Sequence, residues 1–290
     1  MHKPSIAIIG CGSVGTRLAE WYRQRGIAVS ALVQRAESVK ALDQKGIQAF
    51  AADLDSADSL SAFPWQFSHY HYFVPPQAHG DDDPRMRHFL AALRHQQSHC
   101  RLVYLSTTAV YGNCQGQWVD ETRPPNPESN RGKRRYHAEQ AVRQWAGPGR
   151  EFVILRVGGI YGPGRLPEQR LRDGLPVLAQ QQSPFVNRIH EADLVQVCDA
   201  AALRGKAGSI YNVSDGHPST MTAYFNAVAD VLGLPRPPQL AWPEAEQQLT
   251  PALLSYLRES RRLDNTKLVN ELGIDFRYPD LARGLADLPS

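Results

Sequence analysis

The sequence predicts an α/β protein, a parallel sheet covered by helices on both faces and followed by a smaller lobe. Two observations carry that reading. Short apolar runs alternate with stretches of helical periodicity through the first 160 residues, the alternation a parallel sheet requires because its crossovers are helices. The texture then turns Gly- and Pro-rich at "YGPGRLPEQR", residues 161–170. The chain has 290 residues, 42% of them hydrophobic, enough to bury one large core, or a core plus a lobe.

The elements follow in order. "SIAIIG" (5–10) is apolar almost throughout, as a strand buried on both faces must be. Helical periodicity over 13–25 ends at Gly26, and "AVSALVQ" (28–34) is a second strand. A short helix over 37–45 stops at Gly46, and "IQAFAAD" (47–53) and "HYHYFVPP" (69–76) are the third and fourth strands. "DDDP" (81–84) introduces a helix over 84–97, since an aspartate caps free amides and a proline suits the first turn. "RLVYLS" (101–106) is a strand, "SNRGKRRYHAEQAV" (129–142) a polar, cationic helix, and "EFVILRVGG" (151–159) a further strand. Beyond the boundary come a strand leading into a helix over 185–203, "SIYNVSD" (209–215), a helix over 219–232, and a helical C-terminal segment broken by "LPRPP". The expected division is a first domain over 1–160, rejoined by 189–215, and a small substrate-binding lobe over 161–290.

The turn after the first strand carries chemistry. "GCGSVG" sets Gly10, Gly12 and Gly15 as Gly-x-Gly-x-x-Gly between a strand and a helix. Gly10 permits the tight turn, Gly12 admits a pyrophosphate against bare backbone, and Gly15 lets helix and strand pack closely. With Ser13 and Val14, these residues present the helix N-terminus to phosphates. The pattern predicts a Rossmann-like doubly wound sheet with a dinucleotide as cofactor. The second strand ends "VQRAES" (33–38), so Arg35 stands where an acid would bind the ribose hydroxyls of NAD. A guanidinium suits a 2′-phosphate and favours NADP, whereas Glu37 keeps NAD open.

"LVYLSTTAVYG" (102–112) resembles the Ser/Thr-x-x-Val-Tyr-Gly segment of the extended short-chain dehydrogenases, the NAD-dependent epimerase/dehydratase family. "ADL" (52–54), "LRVGGIYGPG" (155–164), "NRIHEADLV" (187–195), "IYNVSDGHPSTMTAYFNAVADVLG" (210–233) and "RRLDNTKLVNELG" (261–273) are similar to further landmarks of that family, in order. The resemblance implies that Asp53 and Leu54 contact the adenine and that Val74, Pro75 and Ser106 line the cofactor site. It also implies that Thr107 binds the reacting oxygen of the substrate, and that two copies of the chain pair through helices on one side of the sheet.

In that family a tyrosine four residues before a lysine transfers the proton. Residues i and i+4 share a helix face, and the ammonium lowers the phenol pKa. Bringing a phenol from about 10 to about 7 takes roughly 4 kcal/mol of differential stabilisation. Here the pair is broken. Counted from "NP" (126–127), Lys133 falls at the lysine position, where it would hold the nicotinamide ribose, and Ser129 falls where the tyrosine belongs. Counted from Ala138-Glu139, Arg135 takes the lysine position and Arg131 the tyrosine position. Tyr136 repairs neither register: it lies about 10 Å along the axis from Ser129, and its own i+4 neighbour is Gln140. Both registers keep a cation and lack the phenol, which resembles an atypical subgroup without Tyr-x-x-x-Lys.

Other residues point to the substrate. Tyr111 and Tyr161 stand in the two Tyr-Gly landmarks as cleft walls or substitute proton donors. His190 and Arg188 lie where the chain returns toward the cleft, and Arg165, Arg188 and Arg262 suit a nucleotide diphosphate.

Several classes are disfavoured. The longest apolar runs fall far short of the roughly 20 residues a membrane span needs, and the start lacks a secretory pattern, so a cytoplasmic location is expected. Four cysteines without Cys-x-x-Cys spacing suggest reduced thiols. The net charge of +3 is concentrated near 131–150; without interleaved aromatics it suits a small phosphorylated ligand rather than nucleic acid. His95 and His99 have helical ligand spacing but no third partner, so no metal is expected. Two functions remain: an NAD(P)-dependent oxidoreductase or epimerase acting on a sugar-nucleotide-like or other hydroxyl or carbonyl substrate, or a catalytically silent NADP(H)-binding regulator or sensor.

Overall fold

The computed structural model describes residues 4–94 and 99–287. Strand β1 (Ile6–Ile9) is buried on both faces, and helix α1 (Ser13–Gln24) lays Val14, Leu18, Ala19 and Tyr22 against it. Strand β2 (Val29–Val33), helix α2 (Ala36–Asp43) and strand β3 (Gln48–Ala51) complete one wing of the sheet. Strand β4 (His69–Tyr72) is shorter than expected, because Pro75 and Pro76 donate no ladder hydrogen bonds. Helix α3 (Pro84–Leu93) begins as its sequence predicts: Pro84 opens the first turn, and the Asp83 carboxylate accepts from Met86 N at 3.1 Å. The expected continuation of this helix to 97, His95 included, lies outside the described residues.

Strand β5 (Cys100–Thr107), helix α4 (Asn130–Trp145), strand β6 (Arg150–Val157) and strand β7 (Ser209–Val213) form the other wing. The sheet order is β7-β6-β5-β4-β1-β2-β3, with every pair parallel. Direction of winding reverses between β1 and β4, and such a switch point opens a crevice at the carboxyl ends of the strands. Alternation sends Ile6 and Ile8 into one core with α1 and with helix α6 (Glu191–Arg204), while Ala7 and Ile9 face the other with α3 and α4. A seven-stranded Rossmann-like sheet is therefore the frame.

The rest divides less simply than a cut at residue 160 expects. Helix α5 (Glu168–Arg172), helix α7 (Met221–Val231) and helix α11 (Leu281–Ala286) share a separate core around Tyr161, Phe225 and Leu285. Helices α8 (Trp242–Gln248) and α9 (Pro251–Leu257) add a second small cluster. Helix α10 (Thr266–Leu272), however, returns to the large sheet and buries Leu268 and Leu272 in the α1–α6 core. Among the described residues no helix is long and apolar enough to cross a membrane.

Candidate functional site

Two cavities open along the carboxyl edge of the sheet. The first, about 340 Å³, lies at the switch point and is lined by Gly10, Gly12, Arg35, Asp53, Leu54, Val74 and Pro75 among others. Gly10 has φ +88°, and a Cβ there would meet Val74 Cγ2 at 2.7 Å and Val74 N at 2.9 Å. Only glycine fits that crossing. A Cβ on Gly12 would meet nothing within 4 Å, so bare backbone faces open space. No side chain caps α1 beyond it, leaving the first amides and the positive end of the helix dipole to an anion. Val14 turns into the core, and the Ser13 hydroxyl donates to Glu191 at 3.3 Å.

Arg35 occupies the N-cap position of α2 without capping it, and no hydrogen bond or ion pair from the described residues reaches its guanidinium. Asp53 Oδ1 accepts from Gln34 and from the Asp55 amide. Glu37, exposed in the first turn of α2, is not part of the lining. Ser106, expected here, is not part of it either: its hydroxyl donates to the Glu139 carboxylate at 2.7 Å on the α4 side of the sheet.

Helix α4 decides between the two registers. Its inward face carries Arg131, Arg135, Ala138, Glu139 and Val142, each three or four residues from at least one other of the set. Arg135 Nη1 lies 3.3 Å from Val74 O, 3.2 Å from Leu105 O and 3.4 Å from Tyr104 Oη, where the ends of β4 and β5 meet. Arg135 thus stands at the sheet edge in the position the second register gives the lysine. Lys133 is two residues from both Arg131 and Arg135, which is roughly 200° around the axis, and it lines neither cavity. Lys133, expected to address the cofactor, therefore stands on a different side of α4 from Arg131 and Arg135. Ser129 caps nothing and instead donates to Glu259 Oε1 at 2.8 Å. Tyr136 packs against Val110, Tyr111 and Leu263, away from both cavities.

The second cavity, about 320 Å³, lies between the ends of β5 and β6 and the smaller lobe. Thr107 faces it, as do Arg131, Arg188, Tyr256, Glu259 and Arg261. The Thr107 hydroxyl oxygen accepts from Ala109 N at 3.4 Å, leaving its proton for a ligand. Arg131 stands at the tyrosine position of the second register. Its Nη2 lies 2.9 Å from Glu259 Oε2, its Nη1 donates to Ser255 Oγ at 2.7 Å, and its guanidinium stands 3.6 Å over the Tyr256 ring. Arg261 donates to the same Glu259 oxygen at 2.8 Å. Arg261 opens the landmark at 261–273 without having been singled out, and Glu259 and Tyr256 had no signal of their own in the sequence.

Several expected substrate residues are occupied elsewhere. Tyr111 is buried, donates to Asn212 Oδ1 at 2.7 Å, and has its phenol pushed up to about 12 by burial. Tyr161 is fully buried, donates to Asp280 O at 3.2 Å, and is likewise pushed up. Neither lines either cavity. His190 Nδ1 accepts from Ala192 N at 3.2 Å, its ring centroid lies 3.9 Å from that of Tyr278, and burial holds its pKa down to about 4. Burial therefore favours the neutral form of that histidine. Arg165 pairs with Glu191 at 3.2 Å beside the first turn of α1. Arg262 donates to Gly116 O at 2.6 Å and lies over Trp118 and Phe185. Of the arginines expected to hold a diphosphate, Arg188 alone reaches the Thr107 cavity.

Known proteins share this architecture. The sequence profile of the NAD dependent epimerase/dehydratase family matches residues 6–214. Protein YeeZ of Escherichia coli (strain K12) is 28% identical over 286 residues, covering 95% of this chain and 96% of that one. A solved structure of a functionally unknown conserved protein from Silicibacter pomeroyi DSS superposes with a TM-score of 0.82 at 28% identity, over 99% of this chain and 98% of its own. The Thermus thermophilus UDP-glucose 4-epimerase, solved as a complex with NAD, superposes with a TM-score of 0.76 at 23% identity, over 97% and 96% of the two chains. The last likeness is one of fold.

Proposed function

The chain belongs to the NAD dependent epimerase/dehydratase family, and from that premise we propose that it binds NADP in preference to NAD and carries out redox chemistry at a hydroxyl or carbonyl carbon of a small molecule beside Thr107. One observation supports this reading most. A backbone-lined cleft and a polar cavity lie side by side on one sheet edge, and Arg135 stands at the junction, bonded to Val74 O and Leu105 O. The open space before Gly12 and the uncapped turn of α1 fit a dinucleotide diphosphate, and the unpaired Arg35 fits a 2′-phosphate. Bound there, the cofactor supplies or accepts hydride.

The residues of the chain do the rest. Thr107 orients the substrate oxygen through its free hydroxyl proton. The Arg131 guanidinium stabilises negative charge growing on that oxygen. Tyr256 is the one phenol on the cavity lining among the described residues, and it is the candidate for proton transfer. A titration of NADPH and NADH, followed by a screen of nucleotide sugars and simple carbonyl compounds for loss of reduced-nicotinamide absorbance, tests the reading. Saturating pyridine nucleotides that give neither heat nor thermal protection would overturn it. Arg131 in the phenol's place favours a second reading, a silent NADP(H)-binding regulator or sensor; tight cofactor binding with flat absorbance across the whole screen would select it.

A further inference from the structure

The Thr107 cavity holds more positive charge than its own side chains neutralise. Three guanidinium groups line it, from Arg131, Arg188 and Arg261, against the single carboxylate of Glu259. Glu259 is committed already: Oε2 is shared by Arg131 at 2.9 Å and Arg261 at 2.8 Å, and Oε1 accepts from Ser129. Arg261 also donates to Gly112 O.

Arg188 is the cation left over. Its guanidinium lies 3.4 Å over the Tyr224 ring, its Nε is buried without a hydrogen-bond partner, and no ion pair from the described residues reaches it. Burial pushes its pKa down to about 10. Asp215, the acid whose field it feels, is itself pushed up to about 7 by burial and so is only partly charged at neutral pH. A half-buried guanidinium whose buried Nε lacks a partner is unfavourable unless something completes it. A volume of about 320 Å³ lies at the small end of ligand cavities, about 300–1,000 Å³.

We propose that this cavity takes a compact anionic substrate, one whose carboxylate or phosphoryl group sits close to the reacting hydroxyl or carbonyl carbon and is held by Arg188 and Arg131 while Thr107 holds the reacting oxygen. The proposal rests on the reading of this cavity as the substrate site. Planar guanidinium forks match either anion in two parallel hydrogen bonds.

The test uses the full chain, alone and saturated with NADP, titrated calorimetrically with lactate, with inorganic phosphate, and with propane-1,2-diol as the uncharged counterpart of lactate. At least one anion is expected to bind about tenfold or more tighter than the diol, and Arg188→Gln to weaken that anion by about tenfold or more. Arg188→Lys should restore part of the loss. Cofactor affinity should not move, because Arg188 does not line the dinucleotide cleft. Whichever of lactate and phosphate binds tighter identifies the anion. Equal binding of lactate and diol with phosphate unbound, or anion binding unchanged in Arg188→Gln, overturns the proposal. If Arg188→Gln folds poorly by circular dichroism, Arg131→Gln carries the same comparison. Failure of NADP to bind would instead strike the proposed function, and the anion titrations of the chain alone would still decide this one.

Discussion

Replacing Arg35 by alanine is expected to weaken NADPH about ten- to thirtyfold and to leave NADH within about twofold. Arg35 lines the dinucleotide cleft, is exposed, and makes no side-chain hydrogen bond or ion pair with the described residues, so its removal breaks no such bond in the fold. Its side chain does not cap α2, and the helix therefore loses no hydrogen bond. A hydrogen bond to a charged group contributes about 1.5–3 kcal/mol, and exposure places Arg35 near the bottom of that range. At about 1.4 kcal/mol per tenfold, 1.5–2 kcal/mol corresponds to about ten- to thirtyfold. Nicotinamide fluorescence titrations of wild type, Arg35→Ala and Arg35→Asp read the effect directly, and the aspartate should reverse the preference. A wild type that binds NADH as tightly as NADPH would refute the assignment, and so would an alanine variant that loses both cofactors equally.

Two further predictions concern the frame beneath the site. Glu139 and Arg156 form a buried pair, 0% and 1% exposed, with bonds of 3.1 and 2.7 Å, and Ser106 donates to the same carboxylate. Glu139→Gln should cost about 3–5 kcal/mol in urea denaturation by leaving a buried guanidinium unpaired, whereas Glu139→Leu with Arg156→Met should recover much of it; a loss under about 1 kcal/mol for the single change contradicts the pairing. His71 is fully buried, with Nε2 against the Tyr22 hydroxyl at 2.9 Å, and burial lowers its pKa from 6.5 to about 3. The folded protein keeps it neutral while the unfolded chain takes up a proton below 6.5, so its contribution is lost as pH falls from 7 toward 3. Asp215, raised to about 7 by burial, acts in the opposite sense over roughly the same interval and flattens the wild-type curve. The stability difference between wild type and His71→Gln should therefore shift against wild type by about 2 kcal/mol from pH 7 to pH 5; parallel curves would show that His71 is not held neutral.

The frame was readable because its determinants are local. Ile6 to Ile9 are apolar on both faces, and Gly10, Gly12 and Gly15 follow between a strand and a helix at the spacing of a phosphate-binding turn. Asp83 and Pro84 open α3 by contacts within four residues. The fourth strand was overestimated where prolines end it. The site was harder because its determinants are distant. The Tyr111 hydroxyl is claimed by Asn212, the Tyr161 hydroxyl by the Asp280 carbonyl, and His190 by its own helix start and the Tyr278 ring. Residue type marks what a side chain is able to do, while packing from another part of the chain decides whether it is free to do it. Helix α4 adds a specific difficulty: periodicity finds a helix face by its apolar residues, and the buried face here carries Arg131, Arg135 and Glu139, which in isolation read as solvated.

That face also bears on whether the missing phenol means a missing activity. Arg131 and Arg135, at i and i+4, are like charges whose repulsion on an isolated helix costs a few tenths of a kcal/mol. Each has been given its own partners. Arg135 has two strand-end carbonyls and a phenol oxygen, and Arg131 has Glu259, a buried carboxylate contributed by the smaller lobe that also binds Arg261. A position that had merely ceased to matter would not need a buried counter-ion from another lobe, nor would it leave Arg188 facing the same space unpaired. The charge arrangement around Thr107 thus argues for a cavity whose electrostatics suit a ligand different from the one a Tyr-x-x-x-Lys site handles, and the Arg131–Glu259 pair joins the smaller lobe to helix α4.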